Sequence, residues 1–384
     1  MPARLAFGDT EQQAVLDVFA HYRSIGSDFG YQGYFEQLYT DALVSYLGVP
    51  GYADAVCTGT AALYVAVAAL RLKAGSHVLV SPVTDPGTVN AIILNQLVPV
   101  VMDSAPNSFN VGATQFEERI NDQIAAAIIV HCAGKAVPVD EICRIAADRG
   151  IRIIEDCSQA HGASLQGRKV GTFGDIAVFS TMYRKAHATG GCGGVIFTQN
   201  AELFALVRAF SDRGKPFNDS TFNDKDPGSF LFPALNLNID EISCAIGLCS
   251  LSKLDSTIKL RIDFLRQLET ALKDRSEICR LAPVEDGDSP FFHPIVVDVE
   301  RISCTKNEFA VAVQAEGIDI NPDYRYVISE WGWLRKYLSD DYLCTNAFNF
   351  RITSFNLLFN ENFGENEIND ICAAITKVEN WFCK

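Results

Sequence analysis

The sequence predicts an α/β protein, a mostly parallel sheet between layers of helices, followed by a smaller α+β domain. Between about residues 55 and 200, helix-like and strand-like segments alternate. The strand-like segments are continuous Val/Ile runs, the pattern of strands buried on both faces. At 384 residues the chain is long enough for two cores, and its composition changes from about residue 285. The expected division is a large domain over residues 1–254, including an N-terminal segment, and a small one over 255–384.

The elements follow in order. "GTAALYVAVAAL" predicts a helix and "HVLVSPV" a short buried strand. "DPGTVNAIILNQ" starts a helix, and "VPVVMDS" and "AAAIIVHC" are strands. "VDEICRIAADRG" is an amphipathic helix, and "IRIIEDC" and "GDIAVFST" are further strands. Two long helices follow, "AELFALVRAFSDRG" and "IDEISCAIGLCSLSKLDSTIKLRIDFLRQLETALKD", the second leaving the large domain near Leu254. Between them, residues 213–232 form a polar loop long enough for a lid or an interface segment. Beyond residue 285, "FFHPIVVDV" is a strand, and "TKNEFAVAVQAEG" and "GENEINDICAAITKVENWF" are helices.

Bulk properties exclude several classes. A net charge of −15 argues against nonspecific nucleic-acid binding, although local backbone donors can still hold a phosphate. No apolar run approaches the roughly 20 residues that span a bilayer. The start, "MPARLAFGDTEQQ", lacks the apolar segment of a secretion signal. The expectation is a cytoplasmic protein with reduced, mostly buried thiols, since the 12 cysteines form no CxxC pair. The 6 histidines are dispersed, so no metal is expected.

Three stretches at predicted strand ends carry chemistry. In "CTGTAAL", Gly59 and Thr60 stand at a helix N-terminus, where free N–H groups and the dipole favour a phosphate. Alone, the stretch reads first as a plain cap, by Thr58 or Thr60, on a core helix. In "IRIIEDCSQAHGA", Glu155 and Asp156 end an apolar strand and must be paired. A protonated pyridine nitrogen would suit Asp156; a helix cap or a buried salt bridge would serve as well. In "FSTMYRKAHATGGCGG", Lys185 follows a buried strand, and glycines then let the backbone approach a flat ligand or another chain. Ser180 could offer its hydroxyl to a phosphate. A lone lysine is ordinarily a solvated charge; desolvated, it becomes a nucleophile. Lysine, acid and helix end together are the equipment for pyridoxal 5′-phosphate.

The run "EDCSQAHGASLQGRKVGTFGDIAVFS" with the following lysine resembles the DegT/DnrJ/StrS family of sugar aminotransferases, which are fold-type-I enzymes that use pyridoxal phosphate. "TGTAAL", "HCAGKAVPVDEI" and "LNLNIDEISCAIGLCSLSKLD" extend the resemblance over about residues 30–255. It implies the fold of that class, a seven-stranded type of sheet. It also implies that Lys185 is the Schiff-base lysine, Asp156 the partner of the pyridine nitrogen, and Gln159 a neighbour of the cofactor's 3′-oxygen. Gly59, Thr60 and Ser180 resemble the phosphate grip. Asn236 resembles the asparagine that reaches the phosphate in the neighbouring subunit, which implies a homodimer. The chain departs from the family pattern where "SPVTDPGTVNAI" puts Asp85 in place of the aromatic ring stacked on the cofactor. Asp85 is thus a candidate cofactor or substrate contact, or a cap on the helix beginning at Pro86. Asn238 stands where arginine is common, and "GGCGG" carries one extra residue.

The resemblance implies transfer of an amino group from an amino acid, L-glutamate, to a keto sugar linked to a nucleotide. An unlinked sugar, a sugar phosphate, a sugar acid or a cyclitol is the alternative acceptor. A second alternative is a cofactor-dependent sugar dehydratase, in which histidine replaces the lysine; His187 lies two residues from Lys185, but lysine itself holds the motif position. A non-enzymatic sensor on the same scaffold ranks last.

Overall fold

A computed structural model describes residues 1–383 of the chain. Two helices, α1 (Asp9–Ser24) and α2 (Tyr34–Leu47), precede strand β1 (Tyr52–Val56). Then come α3 (Gly59–Ala69), β2 (His77–Val80), α4 (Pro86–Leu94), β3 (Val98–Val101), α5 (Ala113–Glu118) and β4 (Ile124–Val130). Helix α6 (Val139–Asp148) leads to β5 (Arg152–Asp156), the hairpin β6 (Ser164–Leu165) and β7 (Arg168–Lys169), β8 (Ile176–Ser180) and β9 (Gly194–Thr198). Helices α7 (Ala201–Ser211), α8 (Glu241–Ser252) and α9 (Leu254–Lys273) follow. The remainder supplies β10 (Cys279–Leu281), β11 (His293–Val297), α10 (Lys306–Ala315), β12 (Ile320–Asn321), α11 (Thr345–Ile352), β13 (Ser354–Leu357) and α12 (Glu365–Phe382).

The large sheet has seven strands in the order β1-β9-β8-β5-β4-β2-β3. The pairs from β8 to β3 are all parallel, and β9 runs against both its neighbours. Side-chain alternation gives the sheet two different faces. Val80, Ile128, Ile154 and Val178 point into a core shared with α3, α4 and α7. Leu79, Ile129 and Ile153 point into a core with α5 and α6, and Ala177 and Phe179 into one with α2 and α8. Helix α3 is apolar nearly all round because it lies inside the first of these cores.

The second sheet is antiparallel, β10-β11-β13-β12, and α9, α10 and α12 pack on it through Leu265, Phe309 and Ile371. From Tyr324 to Phe350 the chain returns to the large core, where Val327 and Leu334 are buried. The Thr84 N–H donates to the Tyr326 carbonyl and the Ile328 N–H to that of Pro82.

Two expectations change. The single long helix over 239–274 is two, with α8 ending at Ser252 and α9 starting at Leu254. The apolar face changes partner across the break: Leu251 and Leu254 serve the core with α2, whereas Phe264 and Leu265 serve the second sheet. The glycine run after Lys185 also has an internal cause. Gly194 opens β9 against the Thr58 carbonyl, and Gly193 sits between the hydroxyls of Thr181 and Thr189, so neither has room for a Cβ.

Candidate active site

In a parallel sheet, the loops at the carboxyl ends of the strands converge on one edge. Here β1 delivers the start of α3, β2 delivers Asp85, β4 delivers Cys132, β5 delivers Asp156, and β8 delivers Ser180 and then Lys185.

Thr58 caps α3, its hydroxyl accepting from the Ala61 N–H at 2.9 Å. The next two N–H groups, those of Gly59 and Thr60, have no hydrogen-bond acceptor among the described residues, nor do the Thr60 and Ser180 hydroxyls engage another group there. Gly59 lies so close to Ser180 that a Cβ would collide with it. Four donors therefore face one spot at a helix N-terminus, which is the donor set a phosphate requires.

Asp156 is 4% exposed. Its Oδ2 accepts from the Thr88 hydroxyl at 3.3 Å, and its Oδ1 from the Ser158 N–H at 3.0 Å. Thr88 is fixed in turn by Thr84 at 2.7 Å. Glu155, one residue earlier, points to the opposite face of the sheet. It accepts from His131 Nε2 at 3.2 Å and from the N–H groups of Gly171, Phe173 and Gly174 at 2.8, 2.7 and 2.7 Å. Glu155, His131 and Cys157 lie close enough together to suggest a metal site. The carboxylate is filled by those four donors, and His131 Nδ1 accepts from the Val137 N–H, so the group is a structural knot.

Lys185 is 9% exposed. Burial pushes its amine down to about 8, against the charges of Asp156 and Asp85, which favour the ammonium. The nitrogen stands 4.3 Å from the centre of the Phe291 ring. Such a lysine is available as the free base near neutral pH.

The remaining expected residues divide. Gln159 Oε1 accepts from the Ala133 N–H at 2.8 Å, and its amide reaches the Tyr324 hydroxyl at 3.5 Å, so it lines the same cleft. Asp85 is the N-cap of α4, with Oδ1 accepting from the Gly87 N–H at 2.9 Å and Pro86 in the first helical position. It remains exposed and within electrostatic reach of Lys185 and Tyr324. Thr84 and Thr88, its neighbours in sequence, serve Asp156 instead. Asn236 lies on the surface and accepts from the Asn238 side chain at 2.7 Å; it touches none of the residues around Lys185. His187 faces away from the cleft: its Nε2 meets the Tyr39 hydroxyl at 2.6 Å, and burial pushes it down to about 3.

A buried, deprotonatable lysine, an acid on the adjacent strand and an unfilled helix N-terminus thus meet at one sheet edge. The chain belongs to the DegT/DnrJ/EryC1/StrS aminotransferase family, whose model matches residues 12–376. It is 30% identical over 299 residues to the lipopolysaccharide biosynthesis protein RfbH of Salmonella typhimurium, covering 71% of this chain and 68% of that protein. It is also 30% identical over 259 residues to the dTDP-3-amino-3,6-dideoxy-alpha-D-galactopyranose transaminase of Aneurinibacillus thermoaerophilus, covering 67% and 68%. An aminotransferase structure from Psychrobacter cryohalolentis superposes with a TM-score of 0.89 at 22% identity, over 99% of this chain and 98% of that one. The fold is that of the fold-type-I aminotransferases, and the protein is a pyridoxal-phosphate-dependent sugar aminotransferase.

Sequence reasoning missed several residues of this aminotransferase's cleft. Phe291 and Tyr324 lie more than a hundred residues beyond Lys185; Phe291 opens the segment "FFHPIVVDV", read only as a strand, but sits in the loop before β11, and Tyr324 lies in a loop after β12. Arg4 donates to the carbonyls of Lys185 and Ala186 at 2.6 and 3.1 Å from a terminal arm without any motif. Thr88 lies within "SPVTDPGTVNAI", but nothing in that stretch marks it as the residue that orients Asp156.

Proposed function

We propose that Lys185 carries the cofactor and shuttles the proton during amino transfer from L-glutamate to a nucleotide-linked keto sugar. The observation that supports this most is the burial of Lys185 beside Asp156, which leaves its amine half-deprotonated at about pH 8. When bound, pyridoxal phosphate would supply an electron sink that eases removal of the donor's α-proton. In this reading Asp156 holds the proton on the ring nitrogen, supported by the bonds from the Thr88 hydroxyl and the Ser158 N–H that keep its two oxygens oriented. The Gly59 and Thr60 N–H groups with the Thr60 and Ser180 hydroxyls bind the phosphate. The Lys185 amine, once free, takes the proton from the donor carbon and returns it, acting as base and then acid. The keto sugar runs the same steps in reverse.

The dTDP-sugar transaminase relative supports a nucleotide-linked acceptor. A homodimer in which Asn236 reaches the partner's phosphate is part of this reading, and the exposed amide of Asn236 supports it. So is a cytoplasmic location, where the free cysteines stay reduced.

Borohydride reduction of the loaded enzyme should fix the cofactor on the peptide containing Lys185, and Lys185→Ala should abolish turnover with the fold intact. Label on another lysine overturns the assignment. A screen of keto sugars with glutamate, nucleotide-linked against free, phosphorylated and acidic ones, tests the acceptor. Sedimentation tests the dimer: a fully active monomer excludes the shared site.

A further inference from the structure

The arm before α1 is tied to the lysine loop. The Arg4 guanidinium donates from one terminal nitrogen to the Lys185 carbonyl at 2.6 Å and to that of Tyr183 at 3.3 Å, and from the other to that of Ala186 at 3.1 Å. Its Nε pairs with Glu361 Oε1 at 2.9 Å. The other oxygen of Glu361 accepts from Arg261 at 3.1 and 2.8 Å. Arg261, 2% exposed, donates its remaining terminal nitrogen to the Pro290 carbonyl at 3.0 Å. The next residue is Phe291, whose ring faces the Lys185 nitrogen at 4.3 Å.

These contacts close a circuit. It runs from the Lys185 backbone through Arg4, Glu361 and Arg261 to Pro290, then back through the Phe291 ring to the Lys185 amine. The arm is seated independently, because Asn360 donates to the Pro2 carbonyl at 3.0 Å and Asn362 to that of Ala3 at 3.4 Å. The carboxyl of Glu361 lies below its usual range: burial raises it, but the guanidiniums of Arg261 and Arg4 outweigh that. One carboxylate between two cations, each with its own backbone carbonyls, leaves little freedom to any member. A lysine ammonium at position 4 could not reproduce the planar fork.

We propose that Arg4, Glu361 and Arg261 are positioning residues that fix the Lys185 backbone and the Phe291 ring relative to one another, so that the lysine nitrogen meets the reacting carbon from one set direction. This rests on Lys185 being the cofactor-bearing lysine. The clamp spans the large sheet, the terminal arm and the loop after β13, so it also ties the small domain to the catalytic loop.

The test uses Arg4→Ala, Arg4→Lys and Glu361→Gln in the loaded enzyme. Arg4→Ala should lower kcat about 100-fold while KM for glutamate moves less than about threefold, since position and not binding is lost. Guanidinium chloride at low millimolar concentration should restore part of the rate, and sodium chloride should not. Trinitrophenylation of Lys185 in cofactor-free protein, mapped by peptide, should speed up as the Phe291 cover loosens. Glu361→Gln should reproduce both changes. If Arg4→Ala does not fold, Arg4→Lys carries the test through a lower kcat at an unchanged melting temperature. Unchanged kcat and Lys185 reactivity overturn the clamp, as does a rate loss that only tracks melting temperature and resists guanidinium. If borohydride labels a different lysine, the underlying assignment falls; if it labels Lys185 and the variants are silent, the clamp alone falls.

Discussion

Strand β5 ends in two adjacent carboxylates, and the two faces of one sheet treat them differently. Glu155 points toward the α6 side and meets four donors that all belong to the protein. Asp156 points toward the α3 and α4 side and meets two, one of them a long bond from Thr88. A buried charge stays charged only where enough dipoles surround it. Glu155 is supplied in full by the chain and holds the loop over residues 171–174 in place. Asp156 is supplied in part, and what remains of its charge acts on the cleft, where Lys185 feels it. The difference separates an acid fully satisfied by the chain from one left open toward the cleft, although both read alike as strand-end acids.

The largest effect is expected at the open acid. If Asp156 holds the ring proton as proposed, Asp156→Asn removes that charge while keeping the shape and the Ser158 bond, so kcat should fall by about 100-fold or more. The fold and the melting temperature should change little. Because Asp156 raises the Lys185 amine, the midpoint of Lys185 modification in cofactor-free protein should drop below about 8. Near-normal turnover in this variant would erase the distinction between the two faces.

Glu155→Gln should do the converse. An amide presents N–H toward backbone N–H groups, so at least one buried donor is left unpaired, at a cost of about 3 kcal/mol or more in stability. Turnover per folded molecule should stay close to the parent. Burial raises the Glu155 carboxyl, but His131 and the N–H groups of Gly174 and Gly171 bring it below its ordinary 4.5. A lowered acid contributes stability above its unfolded value, and that stability is lost as pH falls through the folded one. Parent protein should therefore lose stability below about pH 4.5 more steeply than Glu155→Gln, in denaturant titrations at several pH values. Equal acid sensitivity would show that other carboxylates dominate.

The same contrast explains what was legible in the sequence. The parallel core was readable because strands buried on both faces must be nearly continuously apolar, as "VPVV" and "AAAIIV" are. Lys185, Asp156 and Ser180 were marked because each sits at a fixed offset from such a strand; Gly59 follows β1 and was marked by the helix start in "CTGTAAL" instead. Strand β1 was not, since "YADAV" carries a buried Asp54 held by Ser211, and β9 hides behind the glycines that start it. The covering side of the cleft was not legible either. Phe291, Tyr324 and Arg4 come from loops and a terminal arm; Phe291 precedes β11 although its segment reads as strand, and only the tertiary path brings the three to Lys185.

Asp85 is the smallest expected effect and the finest division between the two kinds of acid, because it belongs partly to each. One oxygen caps α4 through the Gly87 N–H, as a structural acid would. Its charge also raises the Lys185 amine, after Asp156 and in the same direction. Asparagine caps as well as aspartate, so Asp85→Asn should leave the melting temperature unchanged, whereas Asp85→Ala should lose about 1 kcal/mol. Both substitutions remove the charge, so both should lower the midpoint of Lys185 modification, and by less than Asp156→Asn does. The half-reactions then separate the remaining roles. If Asp85 holds a hydroxyl of the incoming sugar, Asp85→Asn should slow the keto-sugar half-reaction sharply and leave the glutamate half-reaction and the cofactor spectrum intact. If it positions the cofactor, both half-reactions should slow together. If both rates are kept in Asp85→Asn and only Asp85→Ala loses stability, the residue is a cap whose exposed charge reaches Lys185 without touching substrate, and the aromatic cover of the cleft is left to Phe291 and Tyr324.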